Sequence, residues 1–280
     1  MKKFIKHLIA LSIIIVVSLN LGLFVNAAEL ETIESNGIVL QKLPSQVDGK
    51  ITLSGQTDKS LIKILIVKDE KQLWYDVKLN NGRFNEEIWF IDGKGTYQVS
   101  ILIHKVERTY TFGLTVDVEN TSDVNRFLVP TKHVESNDQE IVSLASEITE
   151  GANSDMDKAK KIYEWVVTNI KYDYGKYAKQ LNKNFDNDYG AVNTLKTRTG
   201  VCYDYSTLVA ALGRAAGMQV KVVKGNYKSS YREELHAWNE IYLSGEDRWI
   251  NLDSTFGYSL GKDYFDNRDF YEDHIKIDEY

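Results

Sequence analysis

One cysteine occurs in the 280 residues, Cys202, inside the stretch TGVCYDYS. A thiolate is an intrinsically strong nucleophile, so its setting decides whether the residue can do chemistry. Gly200 and Val201 precede it and a helical pattern follows. The sulfur therefore stands at a helix start, where unpaired N–H groups and the positive dipole end favour the thiolate. A free cysteine serves equally well as a small buried apolar residue, and two downstream residues bear on the choice. His236 opens HAWNEIYL, where strand alternation puts His236, Trp238, Glu240 and Tyr242 on one face. Asp253 lies in RWINLDSTF. If Ser244–Asp247 (SGED) closes a hairpin with Leu243 opposite Arg248, His236 opposes Thr255 and lies diagonal to Asp253. Diagonal neighbours on one face are roughly 7–8 Å apart at the backbone, within reach of a carboxylate–imidazole bond. A slip of one residue would send the two side chains to opposite faces.

The three residues supply a nucleophile, a base and an orienting carboxylate in the order Cys…His…Asp. A Cys202 thiolate would attack an acyl carbon, expel an amine or ammonia, and leave a thioester for water or a second amine to resolve. The tetrahedral intermediate needs oxyanion donors. The Cys202 backbone N–H is one, and Tyr172 in NIKYDYGKY is a second candidate. Tyr203 and Trp238 are candidates for lining the cleft, with Tyr205 and Tyr242 as further aromatic cover.

These residues need a scaffold. SNDQEIVSLASEIT carries Ser136 and Gln139 at capping-box spacing and places Ile141, Leu144, Ala145 and Ile148 on one helical face. SDMDKAKKIYEWVVTNI repeats the device with Ser154 and Asp157, and buries Ile162, Trp165, Val166 and Ile170. YSTLVAALGRAAG is a third helix, with Leu208, Val209, Leu212 and Ala216 inward and Gly217 as its stop. Three strand candidates follow, QVKVVKGNY, LHAWNEIYL and RWINLDSTF. Helices first and antiparallel strands after define an α+β domain.

Upstream, residues 37–118 read as about seven short strands broken by Asn81-Gly82, Asp92-Gly93 and GQTDKS, the pattern of a small Ig-like β-sandwich. His104 stands alone there and carries no chemistry. Pro130 and its polar neighbours mark the linker. The expected division is a signal peptide over 1–28, a β-sandwich domain over 29–125 and an α+β domain over 126–280. The signal reading rests on the basic start MKKFIKH, the apolar run to Val25 and the small residues of VNAAE. An uncleaved anchor is the alternative, and the membrane would then be met only through this segment.

The whole chain carries a net charge of −6, and losing Lys2, Lys3 and Lys6 with the leader would take it to −9. With no basic cluster, nucleic acid is not an expected partner. The acidic tail from Lys262 reads as solvated surface. Asp186–Gly190 (DNDYG) resembles part of a calcium loop but lacks the remaining ligands, so no metal and no cofactor are expected.

GVCYDYSTLVAALGRAAGMQVKVVKGN, HAWNEIYL and RWINLDST together resemble the three motifs of the transglutaminase-like superfamily, bacterial branch. The resemblance covers about Ser154 to Phe256. It implies a papain-like core and assigns the catalytic roles to Cys202, His236 and Asp253. Ser254 departs from the proline many relatives carry after the aspartate, which affects the turn more than the chemistry. The expected function is a secreted thiol enzyme acting on amide or peptide bonds, by acyl transfer or hydrolysis. Its partners would be protein or peptide substrates, cell-wall peptides among them. A non-enzymatic binding protein that uses the sandwich is the alternative, since a superfamily does not fix an activity.

Overall fold

The computed structural model describes residues 31–185, 187–229, 233–257 and 263–280. The signal segment expected over 1–28 lies outside them. Among the described residues, no helix is long and apolar enough to cross a membrane. Residues from Thr32 to Tyr280 form one compact unit with two principal apolar cores.

The first core lies between two sheets. One takes the order β1 (Thr32–Ser35), β2 (Ile38–Gln41), β4 (Lys50–Thr57), β7 (Arg83–Trp89). The other runs β3 (Gln46–Val47), β9 (Thr109–Asn120), β8 (Gly95–Val106), β5 (Ile62–Lys68), β6 (Lys71–Asp76). Alternation along β4 and β7 turns Ile51, Leu53, Phe84 and Ile88 inward, where they meet Ile62, Ile64, Val99 and Ile101 of the facing sheet. A period of two with β-branched residues on the inner face is what sheet packing needs, and a β-sandwich results.

The second core belongs to an α+β layer. Five helices pack here, α1 (Gln139–Thr149), α2 (Asp155–Asn169), α3 (Tyr174–Leu181), α4 (Ala191–Thr197) and α5 (Cys202–Ala215). Helix α1 is capped by Asp138, whose side chain accepts from the Glu140 and Ile141 N–H groups, two residues later than the box expected at Ser136. Ser136 is itself buried, so the helix starts at the next free carboxylate. At α2 the expected device is present, with Ser154 Oγ accepting from Asp157 N at 3.1 Å. Helix α5 is buried on nearly every side and is the axis of the domain. Gly217, at φ +81, follows its C-cap in the left-handed conformation that glycine adopts without strain.

Against α5 lies an antiparallel sheet in the order β14 (Arg248–Leu252), β13 (Glu233–Leu243), β12 (Val220–Lys228), β15 (His274–Glu279). Leu243 pairs with Arg248 and Asn239 with Leu252, the register expected from the hairpin. The tail differs from its expected role as a solvated segment. His274–Glu279 joins the sheet as an edge strand beside β12, with His274 buried and the residues after it largely exposed while the backbone closes the ladder. Composition reports the exposed face of such a strand but not its pairing.

Candidate functional site

Two short strands place the nucleophile. β10 (Lys171–Tyr172) pairs in parallel with β11 (Thr199–Gly200), setting Tyr172 opposite Gly200. Asp173 N then donates to Gly200 O at 2.9 Å, which fixes the turn that delivers Cys202 to the first position of α5. An N–H at that position has no acceptor inside the helix. Gly200 is required by contact: a Cβ there would stand 2.4 Å from the Asp204 Cβ. Asp204 Oδ2 accepts from Val201 N at 2.9 Å and from Lys176 Nζ at 2.7 Å, so a buried ion pair braces the helix start from behind. Burial pushes the Asp204 carboxyl up, against the pull of Lys176.

His236 comes from β13 and Asp253 from the residue after β14. His236 Nε2 donates to Asp253 Oδ2 at 2.6 Å. Cys202 adds to the charge that favours a protonated imidazole, and with Nε2 held by Asp253 the nitrogen left to serve the sulfur is Nδ1. Burial disfavours a charged ring, but the Asp253 charge and bond, with Cys202 added, outweigh it and push His236 up to about 10. Burial alone would likewise raise Asp253; His236 first and His274 second reverse this and hold the carboxyl well below its usual range. Asp253 Oδ1 accepts from Thr255 N at 2.9 Å and Phe256 N at 3.2 Å. An aspartate suits this position because one oxygen closes the turn while the other serves the histidine.

The remaining candidates separate. Tyr172 is close enough to Cys202 for the thiol's charge, after burial, to raise its phenol. Trp238 does not line a cleft. It is 1% exposed and packs with Val223, Tyr264 and Phe270, because its place on the His236 face carries it under the sheet beside β15. Tyr203 turns away toward the sandwich, its Oη meeting His133 Nδ1 at 3.0 Å and Tyr280 Oη at 2.6 Å. Tyr205 is buried on Ile170 O, and Tyr242 bonds Asp247 at the hairpin turn. The ring that covers His236 is Phe256, stacked at 4.7 Å and 13°.

Two functional-type residues escape sequence reasoning. His274, on β15, places Nε2 at 3.2 Å from Asp253 Oδ2 and Nδ1 at 2.6 Å from Asp273 Oδ1. Lys176 is the other, visible in the chain only as one lysine among many. His236, Asp253 and His274 are also the group whose donor atoms could hold a metal, lying within 4.8 Å of one another. Those atoms are already joined by hydrogen bonds. In the DNDYG stretch, Asp188 O and Asn187 Oδ1 accept from Lys176 and Lys179.

Cys202 starts α5, and His236 and Asp253 come from the antiparallel sheet packed against that helix. Residues 142–254 match the family described as the transglutaminase-like superfamily. It is 31% identical over 125 residues to kyphoscoliosis peptidase of Mus musculus, covering 42% of this chain and 18% of that protein. It is 25% identical over 135 residues to the uncharacterized protein YebA of Bacillus subtilis, covering 43% of this chain and 18% of that one. The chain thus spans under a fifth of the length of these relatives. Red sea bream transglutaminase superposes with a TM-score of 0.32 at 11% identity, over 80% of this chain and 51% of that one.

Proposed function

We propose that this chain is an exported thiol enzyme that cleaves amide or peptide bonds through a thioester at Cys202. The observation that carries the reading is the 2.6 Å bond between His236 Nε2 and Asp253 Oδ2, with Cys202 at the start of α5 favouring the protonated imidazole. In the forward step the Cys202 sulfur bonds to the acyl carbon and the C–N bond breaks. His236 gives its proton to the departing nitrogen, while Asp253 holds the ring. The oxyanion is met by the Cys202 N–H and the Tyr172 hydroxyl. Water or an incoming amine, deprotonated by His236, then attacks the thioester and frees the thiol. The names of the peptidase and transglutaminase relatives agree with either acceptor. Export favours envelope or extracellular proteins and wall peptides as acyl donors.

The test supplies a labelled primary amine with a glutamine-bearing protein, and in parallel follows peptide release from protein and wall-peptide substrates. Amine incorporation identifies transfer, and release alone identifies hydrolysis. Cys202→Ala is expected to keep the fold by circular dichroism and lose both. Turnover that survives in that variant would remove the thioester from the reaction.

A further inference from the structure

A second concave site lies away from His236, where the edge strand β6 of the sandwich faces the 126–132 linker and the end of β15. It encloses about 500 Å³. Its walls mix charged and polar side chains with Leu73, Tyr75 and Ile91 on one side and the bonded pair Tyr203–Tyr280 on the other. Four cations line it, Lys71, Arg126, Lys132 and Lys224, of which Lys71 is paired with Asp92 inside the cleft.

The other three are poorly satisfied. The Arg126 Nε is buried and has no hydrogen-bond partner. Among the described residues, neither the Lys132 nor the Lys224 ammonium takes part in a hydrogen bond or salt bridge; Lys224 lies 5.2 Å over the Tyr203 ring and 4.6 Å over the Tyr280 ring. Lys132 is pulled down by burial; the charge of Asp76 opposes this, and Lys63 and then Lys224 add smaller repulsions. The acids that line it are largely engaged already. Asp92 pairs with Lys71 at 2.7 Å, and Glu279 with Lys221 at 3.0 Å. Asp278 is left to face Lys224. A buried guanidinium nitrogen without a partner is costly, and the cost falls when an anion meets it; half-buried Lys132 and exposed Lys224 stand where they could share that anion. The chain as a whole is acidic, so this concentration of positive charge is local.

We propose that this cleft binds a small organic anion, its carboxylate or phosphate oxygens held by Arg126, Lys132 and Lys224 and its body against the Tyr203 and Tyr280 rings. Thermal shift and titration calorimetry on the protein test it, with succinate, citrate and inorganic phosphate at constant ionic strength. Saturable binding of at least one probe is expected, with a rise in Tm. Preference for citrate or succinate identifies a carboxylate ligand, and preference for phosphate identifies a phosphate ester. In the Lys132→Gln/Lys224→Gln variant binding should weaken at least tenfold, while the ligand-free Tm holds or rises because the mutual repulsion is gone. If the double variant does not fold, Lys224→Gln alone, at an exposed position, is expected to weaken binding at least threefold. No saturable binding of any probe, or equal binding by whichever variant folds, overturns the proposal. Each readout is independent of Cys202 and of turnover, so it decides the cleft separately from the thioester reaction.

Discussion

Asp253 offers a single carboxylate oxygen, Oδ2, to two imidazoles: His236 Nε2 at 2.6 Å and His274 Nε2 at 3.2 Å. His274 is in turn held by Asp273 Oδ1 and stacks on Phe270 at 3.9 Å. The hydrogen-bonded chain from His236 through Asp253 and His274 to Asp273 therefore reaches β15, which carries its outer end. His274 never meets the thiol, so it is a positioning residue. His274→Gln is expected to lower kcat by about tenfold with KM little changed, since a small misplacement of a catalytic base costs rate before affinity. The pH–rate profile should shift as well. An unchanged kcat and profile in a folded variant would confine His274 to packing.

The His236–Asp253 pair makes stability depend on pH in a defined window. His236 is raised from 6.5 to about 10, so its contribution is complete below 6.5 and fades as pH climbs toward 10. Asp253 is depressed below 3.8, so its contribution is complete above 3.8 and fades as acid protonates it. The Tm gap between wild type and Asp253→Asn should be widest from about pH 4 to 6.5 and narrow on both sides. The same variant should lose about 10³–10⁴ in kcat, because the amide leaves the ring in the wrong tautomer. A gap flat from pH 4 to 10 would mean that the pair is not ionised in the folded protein.

The legibility of this site in the sequence follows from how local each signal is. Strand parity placed His236 and Asp253 on one face because a hairpin with a short turn fixes register within a few residues, and Leu243 does oppose Arg248. The helix start at Cys202 was legible from the glycine before it and the apolar period after it. His274 was not, because its strand is recruited from the far end of the chain and its alternation misleads: Ile275 and Ile277 are the exposed residues while His274 is buried. Trp238 looked like a cleft residue from its position beside His236. Only the packing of Tyr264 and Phe270 beneath the sheet shows that its face is covered. The two parallel residues of β10 and β11 carry no periodicity to read, although they fix the site's position.

Tyr172 owes its place to that two-residue bridge, which pairs it with Gly200, two residues before the thiol, within range of the thiol's charge. If the hydroxyl donates to the oxyanion, Tyr172→Phe should lower kcat by about 10²-fold or more while leaving KM close to wild type, the cost of one missing donor. Burial and the thiol's charge both oppose ionisation of this phenol, so it stays a donor over the working range. Steady-state kinetics on a cleaved peptide decide the matter. A phenylalanine variant as fast as wild type would leave the Cys202 N–H as the donor to be tested next.

Behind the nucleophile, Lys176 and Asp204 form an ion pair whose side chains are 8% and 0% exposed. Removing one partner leaves a charge in a low-dielectric site, a loss of roughly 3–5 kcal/mol. Lys176→Met is therefore expected to destabilise strongly in denaturant unfolding. Asp204→Asn added to it should recover much of the loss, because the neutral amide no longer needs a counter-charge. The recovery should not extend to activity. Asp204 Oδ2 also accepts from Val201 N, and weakening that bond frees the backbone one residue before the thiol. Stability restored with kcat still low would separate the two jobs of Asp204, and equal recovery of both would show that the ion pair acts on folding alone.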